Sequence, residues 1–428
     1  MKKIKLITPG HRLLPIIFIA LATAFVNHAI AAAGISNARA VGLAGAYLSI
    51  AEGAEAPNWN PANLGLYDRQ GFSMNFLSTG IRIHNNSFSK KQYDEYNGKY
   101  LDDADKQKLM DCIPDKGLTL NLDSEVQLLG FAYSYFAFTA IGVVESNMTI
   151  SKEFFELGLY GNAHKLNFDF SDTDGTAWAT YNYALSGAYP IDIQGFERFA
   201  VGGNLKYIQG LYCFDVVEAG GAISTDAKLY GEGKSVVQYA RGGSGFGLDL
   251  GAAAILNDHW RFGLVLNNIS NSVNWNVGAK KEVFWASTDS LDIQTMIDAD
   301  EVDSLFHDDN ETEDIKSFST NKPVEMRLGA AYTANKYMVS LDYIQGFKEG
   351  VSISTTPKLA SGIEYKPCYW LPLRAGMFIG GKEFFALAIG LGFEMGRVRL
   401  DFAATNQGSI KPGSQQGTTL AFGIRLIP

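Results

Sequence analysis

From about residue 71 onward the chain alternates, an apolar residue and then a polar or small one. Phe385, Leu387, Ile389, Leu391, Phe393 and Met395 fall on one face of a strand. Ala386, Ala388, Gly390, Gly392 and Glu394 fall on the other, because successive side chains of a strand point to opposite sides. The next segment sets Val398, Leu400 and Phe402 against Arg397, Arg399, Asp401 and Ala403. The last sets Leu420, Phe422, Ile424 and Leu426 against Thr419, Ala421, Gly423 and Arg425. Alternation alone also fits a soluble sandwich. Two features argue for a barrel in lipid. The minor face is Gly, Ala and single charges, which suits a crowded concave interior. The segments are also long: ordinary strands peak at about five or six residues, whereas about nine to eleven tilted residues cross a bilayer.

The connections decide the matter. The pattern predicts strands over 71–87, 125–137, 138–150, 176–190, 197–213, 244–256, 260–276, 323–335, 337–347, 357–367, 370–381, 384–396, 397–408 and 416–428. Long connections at 88–124, 151–175, 214–243, 277–322, 348–356 and 409–415 fall on one side, with a short exception at 380–383. Short ones fall on the other: Phe138-Thr139, Ile191 to Arg198, 257–259, Asn335-Lys336, Pro367 to Tyr369 and Gly396-Arg397. Short turns on one side and long loops on the other mark an outer-membrane barrel. The expected fold is all-β, a transmembrane antiparallel β-barrel of about fourteen strands over 71–428.

Giving the apolar set to lipid puts Lys206, Asp249, Arg261, Glu325, Arg327, Asp342, Glu364, Arg374, Glu394, Arg399, Asp401 and Arg425 in the lumen. Six bases and six acids predict paired charges that fill or gate the interior, or that only hold it together. Tyr181, Tyr183, Tyr189, Tyr207, Tyr332, Tyr337, Tyr343 and Tyr365 take the outward face and read as interface girdle residues.

The first residues add a destination. Lys2, Lys3, Lys5 and Arg12 precede an apolar core from Leu13 to Val26 and small residues at 29–33. This reads as a secretory signal peptide over 1–33. Its removal would take the net charge from −9 to −13, an unpromising balance for nucleic acid. Cys112, Cys213 and Cys368 are too few for a disulfide framework and read as isolated thiols, although Cys112 and Cys213 fall on one side of the predicted topology.

Residues 34–70 break the strand pattern. Ala40-Val41-Gly42-Leu43-Ala44-Gly45-Ala46-Tyr47, then Ala51-Glu52-Gly53-Ala54, then Asn58-Trp59-Asn60-Pro61-Ala62-Asn63-Leu64 make a small-residue segment with a turn at Asn60-Pro61. It reads as a compact plug before the first strand. These runs resemble the N-terminal hatch of the FadL/PorV superfamily of outer-membrane barrels, matched at Gly42, Gly45, Asn60, Pro61, Ala62, Asn63 and Leu64, with Ala44 where the family usually has Gly or Met. The resemblance implies a hatch in the lumen and fourteen strands. In the family's fatty-acid transporters hydrophobic substrates leave sideways through the wall; other members serve type IX secretion. Hatch-gated passive transport of hydrophobic small molecules such as fatty acids is the first expectation. A secretion-accessory or protein-binding barrel without transport activity is the second.

The loops carry further signals. Residues 102–110 read as a short capped helix. Ser151 begins another over 151–160, whose Phe154, Phe155, Leu157, Leu159 and Tyr160 would form a greasy entry site or a lid over the other loops. Residues 282–314 hold twelve acids and no Lys or Arg, and read as a solvated surface loop. Asp298, Asp300, Asp303, Asp308 and Asp309 lack EF-hand spacing. His11 and His28 belong to the leader, and His84, His164, His259 and His307 have no partner at recognisable spacing. No nucleophile elbow, metal triad or phosphate loop is present. The chain is expected to be no enzyme and to carry no cofactor or metal. Its expected partners are outer-membrane lipid, with hydrophobic small molecules or secretion-system proteins, and no nucleic acid.

Overall fold

The computed structural model describes residues 34–67, 71–161, 165–225, 229–291, 306–411 and 413–427. The leader, His164 and Asp298, Asp300 and Asp303 lie outside the described residues.

Among the described residues nineteen strands form one antiparallel sheet. They are β1 (Ser73–Asn85), β2 (Leu118–Tyr133), β3 (Phe136–Ile150), β4 (Asn167–Asp169), β5 (Asp174–Ile191), β6 (Arg198–Thr225), β7 (Leu229–Ala240), β8 (Gly243–Ile255), β9 (Trp260–Trp275) and β10 (Lys280–Leu291). Then come β11 (Phe306–Asp314), β12 (Phe318–Asn321), β13 (Glu325–Ala334), β14 (Tyr337–Gly346), β15 (Lys358–Cys368), β16 (Leu371–Gly380), β17 (Phe385–Met395), β18 (Val398–Gln407) and β19 (Gly417–Leu426). Fourteen of them close a barrel in the order β1, β2, β3, β5, β6, β8, β9, then β13 through β19 and back to β1. The closing pair runs from Met74 opposite Leu426 to His84 opposite Gly417. Closure leaves the wall no unpaired edge, which is what a strand structure needs in lipid.

The two faces separate as the alternation requires. Leu205, Phe246 and Ile389 are about two-thirds exposed on the outside, while Ala386 and Ala388 of the same β17 are buried inside. Tyr181, Tyr183, Tyr207 and Phe246 run in ring contact along the outer wall, and Tyr337 stacks on Tyr365 at 4.7 Å.

Three expectations need correction. The turn placed at Phe138-Thr139 lies at Ser134-Tyr135, where Ser134 takes φ 55°; Thr139 is a buried inward residue of β3. The connections 214–243 and 277–322 are not loops. The outer half of β6 continues to Thr225, pairs with β7, and β7 pairs in turn with β10 and β10 with β11. This sheet extends beyond the wall strands and has no lipid-facing side, with Val217 and Tyr230 exposed but Val236 and Val237 buried, so its sequence lacks the one-sided alternation that marks the wall. The acidic 306–314 stretch is thus a strand, β11, with Asp308, Asp309, Glu311 and Glu313 exposed along it.

Candidate functional site

Residues 34–67 lie inside the barrel. Helix α1 (Ala38–Gly42) starts where the Asn37 side chain accepts from Ala40 N, and helix α2 (Ala56–Trp59) has Pro57 in its first turn. A 3-10 turn (Pro61–Gly65) follows, capped by the Asn60 side chain. The wall is small where this backbone runs. A Cβ added to Gly376 would meet the Leu43 carbonyl carbon at 2.5 Å, and one added to Gly390 would meet the Gly42 Cα at 2.9 Å. The Gly and Ala of the inner face therefore make room for the segment's main chain. Leu43, Tyr47, Ile50 and Trp59 pack with wall residues Ala331 and Met338.

Charge fastens what shape admits. Arg39 forks onto Glu364 at 2.8 and 2.9 Å, and Glu364 also takes Arg374 at 2.6 Å. Arg374 reaches Asp401 at 2.6 Å, and Asp401 takes Arg425 at 3.0 Å. Arg425 returns to Glu55 of the segment, which also accepts from Asn37 at 2.7 Å and from the Tyr47 hydroxyl at 2.6 Å. One continuous chain of buried ion pairs thus runs from segment to wall and back. Separately, Asp342 accepts the backbone N–H groups of Tyr47 and Leu48 at 2.9 and 2.8 Å, and Glu125 accepts Ser36 N at 3.0 Å. Asn60 donates to Ala252 O at 2.9 Å, Asn63 to Leu48 O and Ala51 O, and Arg261 pairs with Glu52 at 2.8 Å.

Above the segment lies a chamber of about 200 Å³. Its floor is Gly34, Pro57 and Asn58; its roof is Ser352, Ile353, Ser354 and Thr356 of the β14–β15 connection. That connection folds inward, with Val351 and Ile353 buried. Lys382 donates to Gly350 O and Val351 O at 2.6 and 2.7 Å, and Ser352 donates to Glu145. Glu145 also holds Lys322 at 2.6 Å and Trp178 Nε1 at 2.9 Å. A bulge in β9 shapes one side. Leu248 opposes Ser270 but Leu250 opposes Leu266, and Asn268 takes φ 58°, a conformation asparagine tolerates better than most. Asn267, Asn268 and Asn271 line the chamber as a result.

Of the twelve charges assigned to the lumen, six hold the segment: Glu364, Arg374, Asp401 and Arg425 in that chain, Asp342 through backbone N–H groups and Arg261 through Glu52. Lys206–Asp249 at 2.5 Å and Arg327–Glu325 at 2.6 Å line the chamber, and Arg399 lies 3.5 Å from Glu394. Sequence reasoning missed Arg39 and Glu55 within the segment, and Arg82, Asp123, Glu145, Lys358, Lys382 and Glu383 near the chamber. A basic or acidic residue in an alternating strand was the available signal for Arg82 and Glu145; Asp123 fell in the expected connection 88–124, whose last residues instead belong to β2. Helix α3 (Lys90–Tyr96) and helix α4 (Asp103–Cys112) fill the first long connection, and helix α5 (Lys152–Tyr160) begins at Ser151, whose hydroxyl accepts from Glu153 N. Phe154 of α5 stacks on Phe170 at 4.2 Å, and Tyr160 lies near Lys106 and Gln107 of α4. No residue of α5 lines the chamber. Among the described residues no group of three or more His, Cys, Asp or Glu is placed to hold a metal ion.

Solved structures share this architecture. The Ralstonia pickettii toluene transporter TbuX matches at 14% identity, covering 94% of this chain and 100% of that one, with a TM-score of 0.50. A Pseudomonas aeruginosa FadL homologue matches at 12% identity over 91% and 98% of the two chains, with a TM-score of 0.51. A mutant of the TodX monoaromatic hydrocarbon channel matches at 13% identity over 92% and 96%, also at 0.51. The fold is that of FadL-type outer-membrane barrels, and the outer membrane is the place for a closed barrel with this apolar belt. No curated protein matches the chain. A family model does match, over residues 67–240 and 228–405, so the chain belongs to DUF5723, a family of unknown function.

Proposed function

We propose that this protein is a hatch-gated passive channel of the outer membrane for small molecules, with residues 34–67 as the hatch. The observation that carries the reading is how the segment is held. It contributes no strand to the wall, and closure of the barrel does not depend on it. It is fastened by side chains, chiefly the Arg39–Glu364–Arg374–Asp401–Arg425–Glu55 chain. Such bonds can exchange partners while the wall stays intact. Gly42, Gly45, Asn60, Pro61, Ala62, Asn63 and Leu64 would then be hatch residues, all but the half-buried Gly45 buried within the lumen.

Hydrophobic cargo such as fatty acids is supported by two things: the apolar side chains of α5 on the outer side, and a fold shared with a toluene transporter and a monoaromatic hydrocarbon channel. In this reading Phe154, Phe155, Leu157, Leu159 and Tyr160 collect cargo from outside, and no chemical step is involved. Uptake of labelled oleate and of toluene into proteoliposomes tests it. Rates above those of empty liposomes are expected; equal rates would sink it.

A further inference from the structure

The chamber between hatch and roof is lined in a way the greasy outer helix is not. Six bases and four acids face it, together with five asparagines. An adjoining cavity shares Asn182, Asn271 and Lys322 with it and extends the polar lining to Glu145, Thr180 and Thr320. A hydrocarbon placed here would strip water from these groups and return no hydrogen bonds, so a ligand that fits must supply acceptors and donors of its own.

The pairing of the bases sharpens the ligand's charge. Arg82 reaches Asp123 and Glu383, Lys358 reaches Glu383, Lys206 reaches Asp249, Lys322 reaches Glu145 and Arg327 reaches Glu325. Lys382 is different: among the described residues it has no carboxylate within salt-bridge range, and its bonds go to the roof carbonyls of Gly350 and Val351. An ammonium has three donors, so one remains for the chamber. Asn182 lines both cavities, and among the described residues no side-chain partner holds its amide.

We propose that the chamber is a binding station for a small hydroxylated anion, a sugar-acid-like solute whose anionic group meets Lys382 and whose hydroxyls meet Asn182 and the β9 asparagines. This rests on the channel reading only for the ligand's route; occupancy can be measured without transport. It deepens that reading by naming a polar cargo class for the lumen, distinct from whatever α5 collects outside.

The test is calorimetric titration of the purified full chain in detergent with gluconate, glucose and octanoate. Gluconate is expected to bind saturably, and glucose and octanoate at least tenfold more weakly. Lys382→Met is expected to weaken gluconate at least tenfold. Because Lys382 also holds the roof, Asn182→Asp serves as the second variant. It adds a negative charge without touching the roof, and should weaken gluconate at least tenfold. Octanoate binding as tightly as gluconate would overturn the proposal, as would glucose binding as tightly. So would gluconate binding that neither variant weakens, or no gluconate binding by a chain that still shows the heat-dependent gel mobility of a folded barrel. A chamber that binds gluconate in a barrel that passes nothing would instead count against the channel reading alone.

Discussion

At the scale of single residues, the proposed hatch is seated by a few positions where the wall leaves no room for a side chain. Gly390 faces the Gly42 Cα so closely that any side chain must move main chain rather than another side chain. Gly390→Val is therefore expected to displace α1 while leaving the outer face of β17 unchanged, and limited trypsin digestion should cut at Arg39 sooner than in the parent protein. Ala44 is the opposite case. It holds φ 55°, a region that costs a residue with a Cβ about 1–2 kcal/mol. Ala44→Gly should raise the resistance of the segment to urea-induced release by about 1 kcal/mol. Arg425 is only 6% exposed and bridges Asp401 and Glu55. Arg425→Met leaves the buried Glu55 without its base and Asp401 with Arg374 alone, a change that costs about 3–5 kcal/mol in comparable buried pairs. Adding Glu55→Gln should recover part of the loss, and denaturant titration of single and double variants would show it.

At the scale of elements, the strands of the wall were legible and the ties between elements were not. Phe385 to Met395 announces β17 because one of its faces meets lipid and the other meets the hatch. Val216, Val217, Val236 and Val237 announce nothing as clear, since the outer sheet they build has no lipid-facing side: the neighbours Val236 and Val237 are both buried, while Val217 is half exposed. Inner charges such as Asp401 and Arg425 stood out as polar residues in strands, yet their order along the network depends on register, which alternation does not supply. Lys382 and Glu349 lie in connections, where no periodic rule applies. The inward fold of 348–356 followed from no pattern in its composition. That roof carries a pH dependence. Partial burial pushes the Glu349 carboxyl up, but donation from Thr355 and Ser354 and the charge of Lys382 outweigh it and hold it below the ordinary carboxylate range. A depressed value means that the stabilisation is present above the unfolded value of about 4.3 and is lost as pH falls below it. Hydrogen exchange of residues 348–356 should speed up below about pH 4, and Glu349→Gln should remove the dependence.

At the scale of the molecule, three surfaces divide the work: an apolar belt for lipid, a small and charged inner wall for the hatch, and a polar chamber between hatch and roof. Leu205 is two-thirds exposed on the belt, opposite Leu185 and Leu248 of its neighbouring strands. Leu205→Arg should cost assembly about 2–4 kcal/mol if that position lies near the bilayer midplane. Folding yield into liposomes, compared with the parent protein, reads this directly. The central claim concerns the hatch, and a reversible lock tests it best. In a chain with its native cysteines replaced by serine, Glu52→Cys and Arg261→Cys place one thiol on the hatch and one on the wall, where an ion pair of 2.8 Å now joins them, and a bismaleimide with a disulfide in its spacer ties the two until that disulfide is reduced. Single-channel conductance and solute uptake would be recorded in the tied and reduced protein. The account predicts a channel silent when tied and restored on reduction, whereas equal permeability in both states would contradict it.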